Sequence, residues 1–176
     1  MRAFVAVEVP GREGEGAGAT ASAPEHLTLR FLGEIDSGLV DRLIERLGPA
    51  LARIARFEFV LDGVGAFPSP HRPRVVWRGV TEGAGELHAL ARAVREVVDS
   101  GGASEDATPF VPHMTLFRVR SSRDRERAAR LLAPQATLPP PTRVPVTSVQ
   151  FVESRLSASG AHHEVRARFP LAGAGP

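Results

Sequence analysis

His26-Leu27-Thr28-Leu29-Arg30-Phe31 and His113-Met114-Thr115-Leu116-Phe117-Arg118 are two copies of one pattern, His-x-Thr-x, standing about half the chain apart. In an extended strand alternate side chains share a face. His26 and Thr28 therefore point one way while Leu27 and Leu29 point the other, into a core. In the second copy Met114 and Leu116 are the core pair. Each strand presents an imidazole beside a hydroxyl, and two lobes facing each other across a cleft would bring both pairs onto one ligand.

The flanking sequence supplies the rest of such a fold. Residues 2–9 alternate and are rich in Val and Phe, which predicts a strand. Further strands are expected at 26–32, 57–61, 74–80, 113–119, 146–152 and 163–169. Val40, Leu43, Ile44, Leu47, Leu51 and Ile54 recur at helical spacing, with Pro49 a kink or break. A second amphipathic helix is expected over 86–98, and a charged one, capped by Ser121 or Ser122, to about Leu132. The stretch 63–68 reads as turn-rich, 139–145 as a proline-rich connection, and Gly11 to Pro24 as a flexible Gly/Ala-rich loop. Seven strands and three helices without a strict βαβ rhythm define an α+β fold with mostly antiparallel sheets. All 176 residues fit one domain.

Composition excludes several chemistries. All 22 basic residues are arginine, so there is no lysine for a P-loop, a Schiff base or a lysyl-nucleotide intermediate. With no cysteine there is no thiolate nucleophile, disulfide or cysteine-ligated zinc, and tyrosine is absent too. The pI of 10.7 follows from arginine, which does not titrate in the relevant range; net charge is only +2 and does not itself argue for nucleic acid. No apolar run approaches the ~20 residues of a membrane span. The N-terminus does not read as a signal peptide, so the expected location is the cytoplasm.

Two imidazoles and two hydroxyls suit hydrolysis of a cyclic phosphodiester. One neutral histidine takes a proton from water and one protonated histidine gives a proton to the leaving oxygen; imidazole serves both ends near its ordinary pKa of ~6.5. Threonine hydroxyls donate to the non-bridging oxygens where charge accumulates. No metal or other cofactor is called for.

The sequence resembles the LigT-like RNA 2′,3′-cyclic phosphodiesterases, also called 2′-5′ RNA ligases, of the two-histidine phosphoesterase superfamily. The resemblance rests on the two motif stretches, extended to Gly33 and back to Pro109, and on Arg2–Val7, Gly63–Pro68, Arg72–Trp77 and Glu153–Leu156, in the family's order. It implies a single bilobal domain over 1–176, with two sheets facing a central cleft and helices outside. It implies a substrate, RNA ending in a 2′,3′-cyclic phosphate, opened to a 2′-phosphate, with reversible 2′-5′ ligation in some members. It implies His26, Thr28, His113 and Thr115 as catalytic residues. The family's helix between the first strand and the first motif has no counterpart in Gly11–Pro24. A monomer is expected.

His26 is assigned as general acid to the leaving 3′ oxygen and His113 as general base, and the pseudo-twofold symmetry leaves the reverse open. Phe31 and Arg118, both five residues after a motif histidine, are candidates to flank the terminal base. Strict alternation gives both of them core parity, so a bulge or strand end must redirect them. Arg30 has cleft parity and is a candidate phosphate contact. Glu153 is a candidate to orient a motif histidine. His71, His88 and the pair His162-His163, read as a turn, are expected at the surface. The alternatives are a phosphodiesterase for small cyclic nucleotides or 2′-5′ oligonucleotides, and a non-catalytic RNA-end-binding module.

Overall fold

Five successive buried residues, Ala3 to Val7, put strand β1 (Arg2–Glu8) in the middle of a sheet covered on both faces. Its Ala3, Val5 and Val7 join the main core, while Phe4 and Ala6 pack on the opposite face with Val152. In the computed structural model, which describes residues 1–10, 25–103, 108–157 and 160–173, β1 pairs with β2 (His26–Glu34) on one side. On its other side lies β7 (Ser148–Ser157), which pairs with β8 (Gly160–Pro170). The second sheet is built from β3 (Phe57–Phe67), β4 (Val75–Glu82), β5 (His113–Arg118) and β6 (Thr142–Val146). Strand orders are β2-β1-β7-β8 and β5-β4-β3-β6, with every pairing antiparallel.

Each motif strand is thus the edge of its own sheet, and the two edges come into contact with each other. Helices α1 (Ser37–Leu51) and α2 (Ala84–Ser100) seal the core: Leu39, Val40, Leu43, Leu47 and Leu51 from α1 and Leu87, Leu90, Val94 and Val98 from α2 are buried against residues of both sheets. Asp36 caps α1 by accepting from the Leu39 amide at 2.8 Å, and the helix continues through Pro49 to Leu51. Helix α3 (Ser122–Leu132) starts on a capping box. Ser121 accepts from the Asp124 amide, and the Asp124 carboxylate accepts from the Arg120 and Ser121 amides. Those amide bonds hold Asp124 below the usual carboxylate range. Among the described residues no helix is long and apolar enough to cross a membrane.

Two segments differ from their sequence reading. The proline-rich connection contains β6, which among the described residues is an edge strand paired with β3 alone, where Pro145 can do without an N–H. The turn-rich 63–68 is mostly the continuation of β3. Gly63, at φ 67°, stands where the register with β4 slips, and Gly65 lies under the ring of Trp77, which any Cβ there would overlap. The structure therefore has eight strands among the described residues rather than seven. The reading of Gly11–Pro24 falls outside the described residues.

Candidate active site

The two motifs share an irregularity that strict alternation does not contain. On β2, Val5 opposes Arg30 and Ala6 opposes Thr28, so Leu29 is an extra residue. On β5, Val76 opposes Phe117 and Trp77 opposes Thr115, so Leu116 is an extra residue. Both bulges fall three positions after the motif histidine. Each flips the parity of the later residues in its strand, as the added residue of a bulge does to side-chain direction. Phe31 accordingly leaves the core and is 52% exposed, and Arg118 is exposed as well.

Arg30 goes the other way. Expected on the cleft face, it is 6% exposed, and its Nη2 donates to Asp99 Oδ1 at 2.9 Å. Arg95 donates to the other oxygen of the same carboxylate at 3.3 Å. Arg30 thus fixes the end of α2 to β2.

A cleft of about 420 Å³ is lined by His26, Thr28 and Phe31 from β2 and by His113, Thr115 and Arg118 from β5, with Phe67, Val75, Thr108, Pro109 and Val111 completing its walls. The two His-Thr pairs therefore border one space. His26 is half-buried, its ring stacked on Phe4 at 4.8 Å between centroids and met edge-on by His163 at 5.1 Å. His113 is met edge-on by Phe67 at 5.0 Å, with Trp77 tilted behind at 6.1 Å. Its Nδ1 lies 2.6 Å from the Val111 carbonyl oxygen. A carbonyl only accepts, so Nδ1 carries the proton and Nε2 keeps the lone pair in the neutral ring.

His163 was not foreseen at the site. It lies within β8 opposite Ser154, rather than in a turn, half-buried against Phe4 and His26. Burial, and then the charge of His162, push its pKa down, which disfavours a second positive charge beside His26. No sequence periodicity could reveal this, since β8 is placed beside Phe4 and His26 through its pairing with β7. Glu153 is bound by Arg155 Nε and Arg166 Nη1, each at 2.9 Å, and so serves an arginine cluster rather than a motif histidine. Arg155 first, opposed by desolvation, holds its carboxyl below the usual range. Gln150 and Arg168 both donate to Glu8, the residue opposite His26, at 2.7 Å.

Two like four-stranded sheets meeting along motif-bearing edges, with a cleft between, define a bilobal α+β protein of pseudo-twofold design. A family model described as the 2′-5′ RNA ligase superfamily matches residues 12–157, and the chain belongs to that superfamily. Among curated relatives, the RNA 2′,3′-cyclic phosphodiesterase of Aeropyrum pernix is 39% identical over 77% of this chain and 75% of its own. That of Aquifex aeolicus is 33% identical over 84% and 78%. Among solved structures, TT0787 of Thermus thermophilus superposes with a TM-score of 0.72 at 29% identity, covering 98% of this chain and 99% of that one. Escherichia coli LigT complexed with 3′-AMP gives a TM-score of 0.72 at 26% identity, covering 97% of both chains.

Proposed function

We propose that this chain is an RNA 2′,3′-cyclic phosphodiesterase, a single bilobal domain acting as a cytoplasmic monomer by metal-independent acid–base catalysis. The observation that carries the reading is that both His-Thr pairs line one cleft. Water attacks phosphorus opposite the departing O3′. His113 Nε2 takes the water proton, a role favoured by the Nδ1 bond to the Val111 carbonyl. His26, as imidazolium, protonates O3′, and the products are a 2′-phosphate and a free 3′-hydroxyl. Thr28 and Thr115 donate to the non-bridging oxygens as the phosphorane forms. Run in the same direction with a 5′-hydroxyl end in place of water, the same groups join RNA through a 2′-5′ linkage as O3′ leaves, and the reverse of that step cleaves the linkage.

The test is turnover of a short RNA ending in a 2′,3′-cyclic phosphate after EDTA treatment. Full conversion to a 2′-phosphate is expected. A 3′-phosphate product would mean the opposite P–O bond breaks, and loss of activity with EDTA that a divalent metal restores would replace the mechanism.

Phe31 and Arg118 belong to the same proposal as a clamp on the terminal base, the ring on one side and the guanidinium plane on the other. Stacking on one base is worth about 1–3 kcal/mol. Phe31→Ala and Arg118→Ala should therefore each raise KM for the RNA end by about tenfold with little change in kcat. An unchanged KM in both variants removes the clamp.

A further inference from the structure

The cleft does not end at the histidines. A second cavity of about 420 Å³ shares Thr28, Phe31, Val111 and His113 with it and extends along α2. Its α2 wall is a helical stripe, since residues three and four apart lie on one face. Here His88, Arg92 and Arg95 follow one another at those spacings along the cavity. Arg92 is exposed and makes no ion pair among the described residues. Arg95, by contrast, is held on Asp99, the carboxylate that also binds Arg30, so the wall is anchored to β2. Beside the stripe, Phe110 lines the same cavity and meets the His88 ring edge-on at 5.2 Å. A basic wall with an aromatic edge is the makeup of a groove that follows a single-stranded phosphodiester backbone.

We propose that this α2-side cavity is a subsite for the nucleotide preceding the cyclic phosphate end, with Arg92 contacting the connecting phosphodiester; the proposal rests on the cyclic phosphodiesterase reading. An RNA whose last nucleoside occupies the histidine cleft must leave it through that nucleoside's 5′-phosphate. The adjoining cavity offers positive charge beside the shared wall of Phe31 and His113. A free mononucleotide with a 2′,3′-cyclic phosphate carries no such linkage and gains nothing from the subsite. The enzyme is thereby a selector of polymer ends over mononucleotides.

The test compares a trinucleotide ending in a 2′,3′-cyclic phosphate with 2′,3′-cyclic AMP, on wild type and Arg92→Gln. Arg92→Gln should raise KM for the trinucleotide about tenfold with kcat kept, as loss of one charge-assisted phosphate contact implies. It should leave 2′,3′-cyclic AMP kinetics unchanged. The slope of log(1/KM) against log salt for the trinucleotide should flatten by about 0.7, the value of one single-strand phosphate contact. Wild-type turnover of both substrates, with Arg92→Gln either indistinguishable from it or equally impaired on both, overturns the subsite and leaves the function standing. Turnover of neither substrate by wild type overturns the function and the subsite with it.

Discussion

Alanine in place of either His26 or His113 is expected to lower kcat on an RNA cyclic phosphate end by about 10²–10⁴-fold, the usual worth of a positioned proton-transfer group. KM should move little, because the base clamp and the flanking walls remain. Since both imidazoles act on one displacement, the double variant should fall far less than the product of the two single losses. The wild-type rate should follow a bell over about pH 5 to 8, rising as the base loses its proton and falling as the acid loses its own. The single variants then separate the roles. If His113 is the base, His113→Ala loses the rising limb and keeps the fall, while His26→Ala keeps the rise and loses the fall. The opposite pattern exchanges the roles without touching the site, and a profile that stays flat in wild type overturns paired histidine catalysis. Both rings sit half-buried at the cleft surface rather than in the core, so folding should survive either change, which thermal denaturation checks.

Much of this was legible in two short stretches of sequence. Period-two alternation put Leu27, Leu29 and Met114 in the core, as they are, and left His26 and Thr28 on the opposite face. Alternation fails at the third residue after each histidine, because a bulge is a property of two paired strands and one strand's sequence does not display its partner. Phe31 and Arg118 therefore carried the wrong parity, corrected only by the extra residues Leu29 and Leu116, and Arg30 carried cleft parity and is buried on Asp99. Prolines hid β6 for a related reason: a proline forbids a central strand but not an edge, and edge status is set by the whole sheet. His163 and the α2 stripe are tertiary in the same sense. Each chemistry-bearing side chain is ordinary locally and acquires a neighbour only when distant strands or helices close around the cleft.

Thr28→Val and Thr115→Val carry the second large effect, a fall in kcat of about 10²–10³-fold each, comparable to removing one donor from an oxyanion site. The reasoning is geometric. Two residues along a strand span about 6.6 Å, so a histidine and the threonine two positions on straddle a phosphate-sized group rather than touching the same atom. The pseudo-twofold pairing supplies one such hydroxyl from β2 and one from β5. Each can meet a different non-bridging oxygen, and neither competes with the histidines for the attacking water or O3′. Valine keeps the β-branched shape and rotamer limits of threonine while removing the donor, so a loss reads out the hydrogen bond and not the packing. Thr115 is exposed and Thr28 half-buried, and both variants should keep their thermal stability. Serine restores the donor without the methyl, so Thr28→Ser and Thr115→Ser should recover most of the rate. If valine and serine variants fall equally, the threonines act through shape. If valine costs nothing, the developing charge is met elsewhere in the cleft, which Arg118 also lines.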